Sequence, residues 1–300
     1  MYQVRRPHHS QFVSIRNLDY HVQVWGEPGP GKVPLVMVHG WMDVAASYQF
    51  MVDAFSEDHY IIAPDWRGYG RTQAPLADNY WFPDYLADLD FLLDHYAPGQ
   101  QVNLVGHSMG GNVVMLYGGV RPERIRRLVN LEGFGMPATI AAQAPGRYAT
   151  WMDELKKLHA GEMDLKSYDS ADGVARRLMK TNPRLSQTKA DWLARHWAAE
   201  NADGSWSILG EPAHKVTNAQ LYRVEEVMAI YQRLTMPVLA VEASDNSLDM
   251  WWKGQYTLAE YHERLKAVTQ AEVARIEDAG HMMHHDQPEV LAALVERFIR

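Results

Sequence analysis

The chain has 300 residues, 47% hydrophobic and 22% charged, with a formal net charge of −8 and no cysteine. That is enough apolar surface for a full hydrophobic core and is the composition of a folded protein, not a disordered one. The acidic balance, with no Lys/Arg run, excludes an electrostatic nucleic-acid binder, and the absence of cysteine excludes disulfides and thiolate metal sites. No run approaches the roughly 20 apolar residues of a membrane span. Met1 to Ser10 are polar and basic with no apolar segment behind them, so a cytoplasmic protein with no secretory signal is the expectation.

In chain order, short apolar runs alternate with longer amphipathic ones. Strands are expected at Phe12–Ile15, Tyr20–Trp25, Val33–Val38, Tyr60–Ala63, Val102–Val105, Ile125–Leu131, Val238–Val241 and Glu272–Ile276. The first two suit an antiparallel hairpin turning at Asn17-Leu18-Asp19. Helices fit Ala46–Phe55, Phe82–Tyr96, Met109–Gly119, Leu258–Val268 and Pro288–Ile299, the last opening on a proline whose missing N–H costs nothing there. The alternation predicts an α/β fold: a mostly parallel eight-stranded sheet with helices on both faces. Between about Gly135 and Thr235 the rhythm breaks and the pattern is helical throughout, at Tyr148–Ala160, Ala171–Lys180, Gln187–Glu200 and Ala219–Leu234. Ser170 and Ser186 stand where N-caps for the second and third belong. Residues 135–235 therefore read as a helical cap on a core made of 1–134 and 236–300.

The segment Gly106-His107-Ser108-Met109-Gly110 lies between a strand and a helix. A serine at such a corner is held on a sharp turn with its hydroxyl pushed outward, and glycines two before and two after avoid collisions with neighbouring backbone. A nucleophilic serine needs a base, a group to orient that base, and donors for the oxyanion. His281, in Asp278-Ala279-Gly280-His281, follows the last strand and is the candidate base. Asp245 follows Val238–Ala243 and is the candidate acid, giving the chain order Ser, Asp, His. All three fall at strand C-terminal ends, the edge where open α/β sheets place their sites. Backbone N–H groups of Trp41 and Met109 are the candidate oxyanion donors.

With these pieces in place the chain resembles the α/β-hydrolase superfamily, in its cap-bearing branch. The resemblance rests on His39-Gly40-Trp41-Met42-Asp43, Asp65-Trp66-Arg67-Gly68-Tyr69-Gly70-Arg71-Thr72, Gly106–Gly111 and Gly280-His281-Met282-Met283-His284, in the family's order. The first two are similar to segments of epoxide hydrolases and haloalkane dehalogenases. Those enzymes carry an aspartate where this chain has Ser108, and their alkyl-ester intermediate needs that carboxylate. The resemblance thus implies cofactor-free serine chemistry at a carbonyl, on a small or medium carboxylic ester or a lactone. C–C bond hydrolysis, perhydrolysis on the same triad, and a slow-turnover small-molecule receptor are the rival expectations. The stretch from Asp245 to His281 is longer than the family's spacing, so Asp249 competes for the acid's role. Glu132, at the end of the sixth strand, competes too, because some relatives carry their acid there. In the family the Asp65–Arg67 loop ties the sheet edge together. His39 is expected to orient the oxyanion loop and His107 to pack under the elbow. His281, His284 and His285 cluster, but without a carboxylate at ligand spacing on the same helix no metal site is expected. Trp41, Trp251 or Trp252 and the cap's tryptophans suit a pocket wall, and the cap's aromatics would equally suit a dimer contact.

Overall fold

A computed structural model describes residues 2–300. In chain order its principal elements are β1 (His9–Ile15), β2 (Leu18–Trp25), β3 (Leu35–Val38), α1 (Gln49–Ala54), β4 (Ile61–Pro64), α2 (Pro83–Tyr96), β5 (Val102–His107), α3 (Met109–Val120) and β6 (Ile125–Leu131). They continue with α4 (Ala144–His159), β7 (Ser167–Tyr168), α5 (Ala171–Thr181), α6 (Gln187–Trp197), β8 (Ala198–Glu200), β9 (Trp206–Ile208) and α7 (Val224–Tyr231). The last are β10 (Val238–Ala243), α8 (Leu248–Trp252), α9 (Leu258–Leu265), β11 (Ala271–Ile276), α10 (Met283–Asp286) and α11 (Pro288–Ile299).

Eight strands form one sheet in the order β1-β2-β4-β3-β5-β6-β10-β11. The β1–β2 and β2–β4 pairs are antiparallel and the rest run parallel. The hairpin pairs Ile15 with Leu18, so the turn is Arg16-Asn17, one residue earlier than expected, with Arg16 at φ 57°. The inner parallel strands β3, β4, β5 and β10 are buried at every position because both faces are covered, whereas edge strand β11 is largely exposed. Val36, Val38, Leu104, Leu128, Val238 and Ala240 join one buried layer with α2, α3 and α9. Leu35, Met37, Val105, Val129, Leu239 and Val241 point the other way, against α1 and α11. Full burial of such a side chain is worth about 1.5–3 kcal/mol, so a one-residue register slip would forfeit many contributions at once.

Residues 135–235 differ from a purely helical insertion in two ways. Short strands β7, β9 and β8 form a three-stranded antiparallel sheet. These strands are two or three residues long, too short for a period-2 pattern to emerge from sequence. The last helix, α7, also packs on the main core: Val227 and Tyr231 belong to the layer over α3, and Ile230 lies where a Cβ on Gly119 would fall. The expected caps are in place, Ser170 accepting from the Gly173 N–H and Ser186 from the Lys189 N–H. Val174, Leu178, Trp192, Leu193 and Trp197 form a third cluster that grips Val44, Ala46 and Phe50. Among the described residues no helix is long and apolar enough to cross a membrane.

Candidate active site

Ser108 ends the β5 turn at φ 53°, ψ −115°, a backbone state sparsely populated by side-chain-bearing residues. The glycines around it are required by contact. A Cβ on Gly106 would lie 2.3 Å from the Gly110 carbonyl, and one on Gly110 2.4 Å from the Val38 carbonyl. The elbow is therefore wedged against β3, and the loop leaving that strand brings Gly40 within van der Waals range of the Ser108 side chain. Met109 begins α3, so its N–H has no acceptor within the helix.

His281 stands between β11 and α10, and its Nε2 is 3.0 Å from Ser108 Oγ. Its Nδ1 donates to Glu132 Oε2 at 2.7 Å. That bond fixes the tautomer, leaving the Nε2 lone pair toward the serine hydroxyl. Glu132 follows the last residue of β6 at φ 53°, and its side chain is wholly buried. Two further bonds hold the carboxylate: Oε1 accepts the Ala243 N–H at 3.1 Å, and Oε2 also accepts the Ser247 hydroxyl at 2.9 Å. Hydroxyl, imidazole and carboxylate thus lie in series, able to take a proton from Ser108 and stabilise the resulting imidazolium.

Asp245 is not in this series, which corrects the expectation that placed it there. Its side chain is 72% exposed and points to Arg184 Nη1 at 3.4 Å. The physical reason lies in the end of β10. There the chain turns so that the Ala243 N–H and Ser247 hydroxyl face Glu132, while the Asp245 N–H bonds the Ala279 carbonyl and sends the side chain out. Asp249, in the first turn of α8, is likewise exposed. Glu132 follows β6 much as Asp245 follows β10, and β6 itself carries Arg126, Arg127 and Asn130, so the sequence offers no stronger local signal for it.

A second serine–histidine–aspartate series shows why geometry beyond distance matters. Ser10 Oγ is 2.5 Å from His21 Nε2, and His21 Nδ1 is 2.6 Å from Asp65. Yet Ser10 sits in edge strand β1, with neither a strained turn nor a helix N-terminus beside it. Asp65 is occupied in joining loops, accepting the Ala45 N–H at 2.8 Å and the Arg71 N–H at 2.9 Å. Arg67 makes a two-pronged pair with buried Asp88 at 2.6 and 2.7 Å. Neither Asp65 nor Arg67 reaches Ser108 in any hydrogen bond.

Around the elbow the histidines have distinct tasks. His39 Nδ1 donates to the Gly40 carbonyl at 2.8 Å, and its Nε2 accepts the Trp66 N–H at 2.9 Å. Only neutral imidazole satisfies both, and burial accordingly lowers its pKa. His214, stacked between Tyr69 and Tyr80, is pushed down to about 3 by burial. The unfolded chain therefore binds these protons first, near pH 6.5, and the native state only at lower pH, for His214 at about 3. Stability is full above about pH 6.5 and falls with acidification, by up to about 1.4 kcal/mol per pH unit for each such histidine. Urea unfolding at pH 7.5, 6 and 5 should show a falling midpoint; a flat profile would contradict neutral burial.

Trp41 is 43% exposed, its Nε1 donating to the His214 carbonyl at 3.1 Å. It meets Trp251 edge-on at a ring separation of 6.4 Å, an aromatic wall at the sheet edge that carries Ser108.

Fold and site together define a hydrolase of the α/β class. The α/β hydrolase fold family model matches residues 33–288, and the chain belongs to that family. Over most of its length it is similar to a serine hydrolase-like protein of Danio rerio, 24% identical across 93% of this chain and 84% of that one. It is similar also to a 3-hydroxybutyrate-oligomer hydrolase of Cupriavidus necator, 24% identical across 95% and 93%. Among solved structures it shares its fold with a thioesterase domain from the curacin biosynthetic pathway, at a TM-score of 0.82 and 20% identity over 97% and 99%.

Proposed function

We propose that this hydrolase cleaves small or medium carboxylic esters, lactones included, through an acyl-enzyme on Ser108. The observation that carries the proposal is the unbroken series Ser108 Oγ, His281, Glu132 at 3.0 and 2.7 Å. Ser108 attacks the carbonyl carbon as His281 Nε2 takes its proton, and the N–H groups of Trp41 and Met109 receive the oxyanion, each worth about 3 kcal/mol in the transition state. The imidazolium, held by Glu132, returns the proton to the departing alkoxide. Water, deprotonated by the same imidazole, then releases the acid and frees Ser108. A serine forms an acyl ester that water can open, whereas the alkyl-ester route to epoxides and alkyl halides needs a carboxylate at this position. The Cupriavidus relative is named for hydrolysis of a hydroxy-acid oligomer, which accords with an ester substrate.

A substrate panel tests the proposal: p-nitrophenyl acetate, butyrate and octanoate, a γ-lactone, a vinylogous diketone, and peracid formation from acetate and hydrogen peroxide. Short esters should turn over at least about tenfold faster than the diketone is cleaved, a gap of roughly 1.4 kcal/mol in barrier. Faster diketone fission would overturn the ester reading and leave the serine chemistry standing. Failure of a fluorophosphonate probe to label Ser108 would overturn both.

A further inference from the structure

We propose that Asp43, His107 and His284 form a buried binding site for a divalent transition-metal cation directly behind the catalytic elbow. The three residues come from separate elements: the loop after β3, the end of β5, and α10. They are 5%, 2% and 0% exposed. One ligating atom from each lies within 4.8 Å of the other two.

Their bonding leaves the inward atoms free. Asp43 Oδ1 is taken by the Ser47 hydroxyl and by Trp197 Nε1, while Oδ2 has no partner. His107 Nε2 donates to the His281 carbonyl at 2.7 Å, which places the lone pair on Nδ1, also without a partner. Both ring nitrogens of His284 are unpartnered, and its Nε2 is 4.0 Å from Asp43 Oδ2. An unsatisfied buried polar atom costs about 1–3 kcal/mol, so a pocket converging three of them, one from each residue, favours an occupant.

The donor set selects which occupant. Two imidazoles and one carboxylate suit Zn²⁺, Co²⁺, Ni²⁺ or Cu²⁺, whereas Ca²⁺ and Mg²⁺ want six or more oxygens, several from water. Ligands about 2.0–2.1 Å from a tetrahedral centre stand roughly 3.4 Å apart. The 4.0 Å gap between Asp43 and His284 is wider than that, so a bound cation would draw the ligands together. A cation here would sit one ring away from His281, whose centroid is 4.7 Å from that of His107. Positive charge at that place opposes the imidazolium the reaction needs, so an occupied site would slow hydrolysis.

The test is uptake of Co²⁺ by the full chain, read by metal content after gel filtration and by visible ligand-field bands, without reference to turnover. The wild type should hold about one Co²⁺ per chain with the bands of a four- or five-coordinate centre. Asp43→Asn and His284→Gln should each weaken binding at least about tenfold. Asp43→Asn is the decisive variant, because its amide oxygen still accepts from Ser47 and Trp197 and the fold survives. Uptake by the wild type no greater than by Asp43→Asn overturns the proposal and leaves the pocket to a bridging water. Equal, tight uptake by all three proteins assigns the metal to surface histidines and overturns it as well.

Discussion

Ser108→Ala lowers kcat for a short-chain ester by about 10⁶-fold, close to 8 kcal/mol in barrier, while the protein remains folded. The substitution removes one oxygen and its contact with His281 Nε2, and alanine meets the same backbone condition at φ 53° as serine did. Stability should therefore change by less than about 1 kcal/mol. Residual activity from the oxyanion donors and from substrate positioning would remain above the uncatalysed rate. Single-turnover and steady-state assays check this, with circular dichroism and a melting curve to establish the fold. A variant retaining a tenth of wild-type kcat would sink the serine mechanism.

The second large effect separates the carboxylates. Glu132→Gln should cut kcat by about 10³- to 10⁴-fold with little change in KM, because the amide keeps the shape but not the charge that fixes the imidazole tautomer and steadies its cation. Asp245→Asn should leave kcat within about threefold, since its partner Arg184 is a largely solvated ion pair worth at most about 1 kcal/mol. The two variants form a matched comparison: each is isosteric, each removes one negative charge, and only one touches His281. The opposite pattern, a crippled Asp245→Asn and an active Glu132→Gln, would return the acid's role to β10.

The sheet was legible because its physics is local. Strands covered on both faces are mostly apolar, and β3, β4, β5 and β10, buried at every position, stood out as short apolar runs. The elbow was legible for a related reason: Gly106, Gly110 and Gly111 are demanded by backbone and side-chain contacts within a few residues of Ser108 or on the adjoining strands. The three-stranded sheet of residues 167–208 was not legible, since two- and three-residue strands carry too few positions to show a period.

Amino-acid order by itself determined the α/β class, the serine at its corner and the histidine on the loop after the last strand, because each is imposed by patterning or by close backbone approach. Which acid reaches that histidine was decided only by tertiary structure. Glu132, Asp245 and Asp249 are all carboxylates at or beyond strand ends, and nothing local distinguishes them. The choice follows from the turn after β10, which directs an N–H and a hydroxyl inward to Glu132 and the Asp245 side chain outward. The same holds for Asp43 beside His107 and His284, where three separate segments meet and only the packed fold shows that their unpaired atoms face one another.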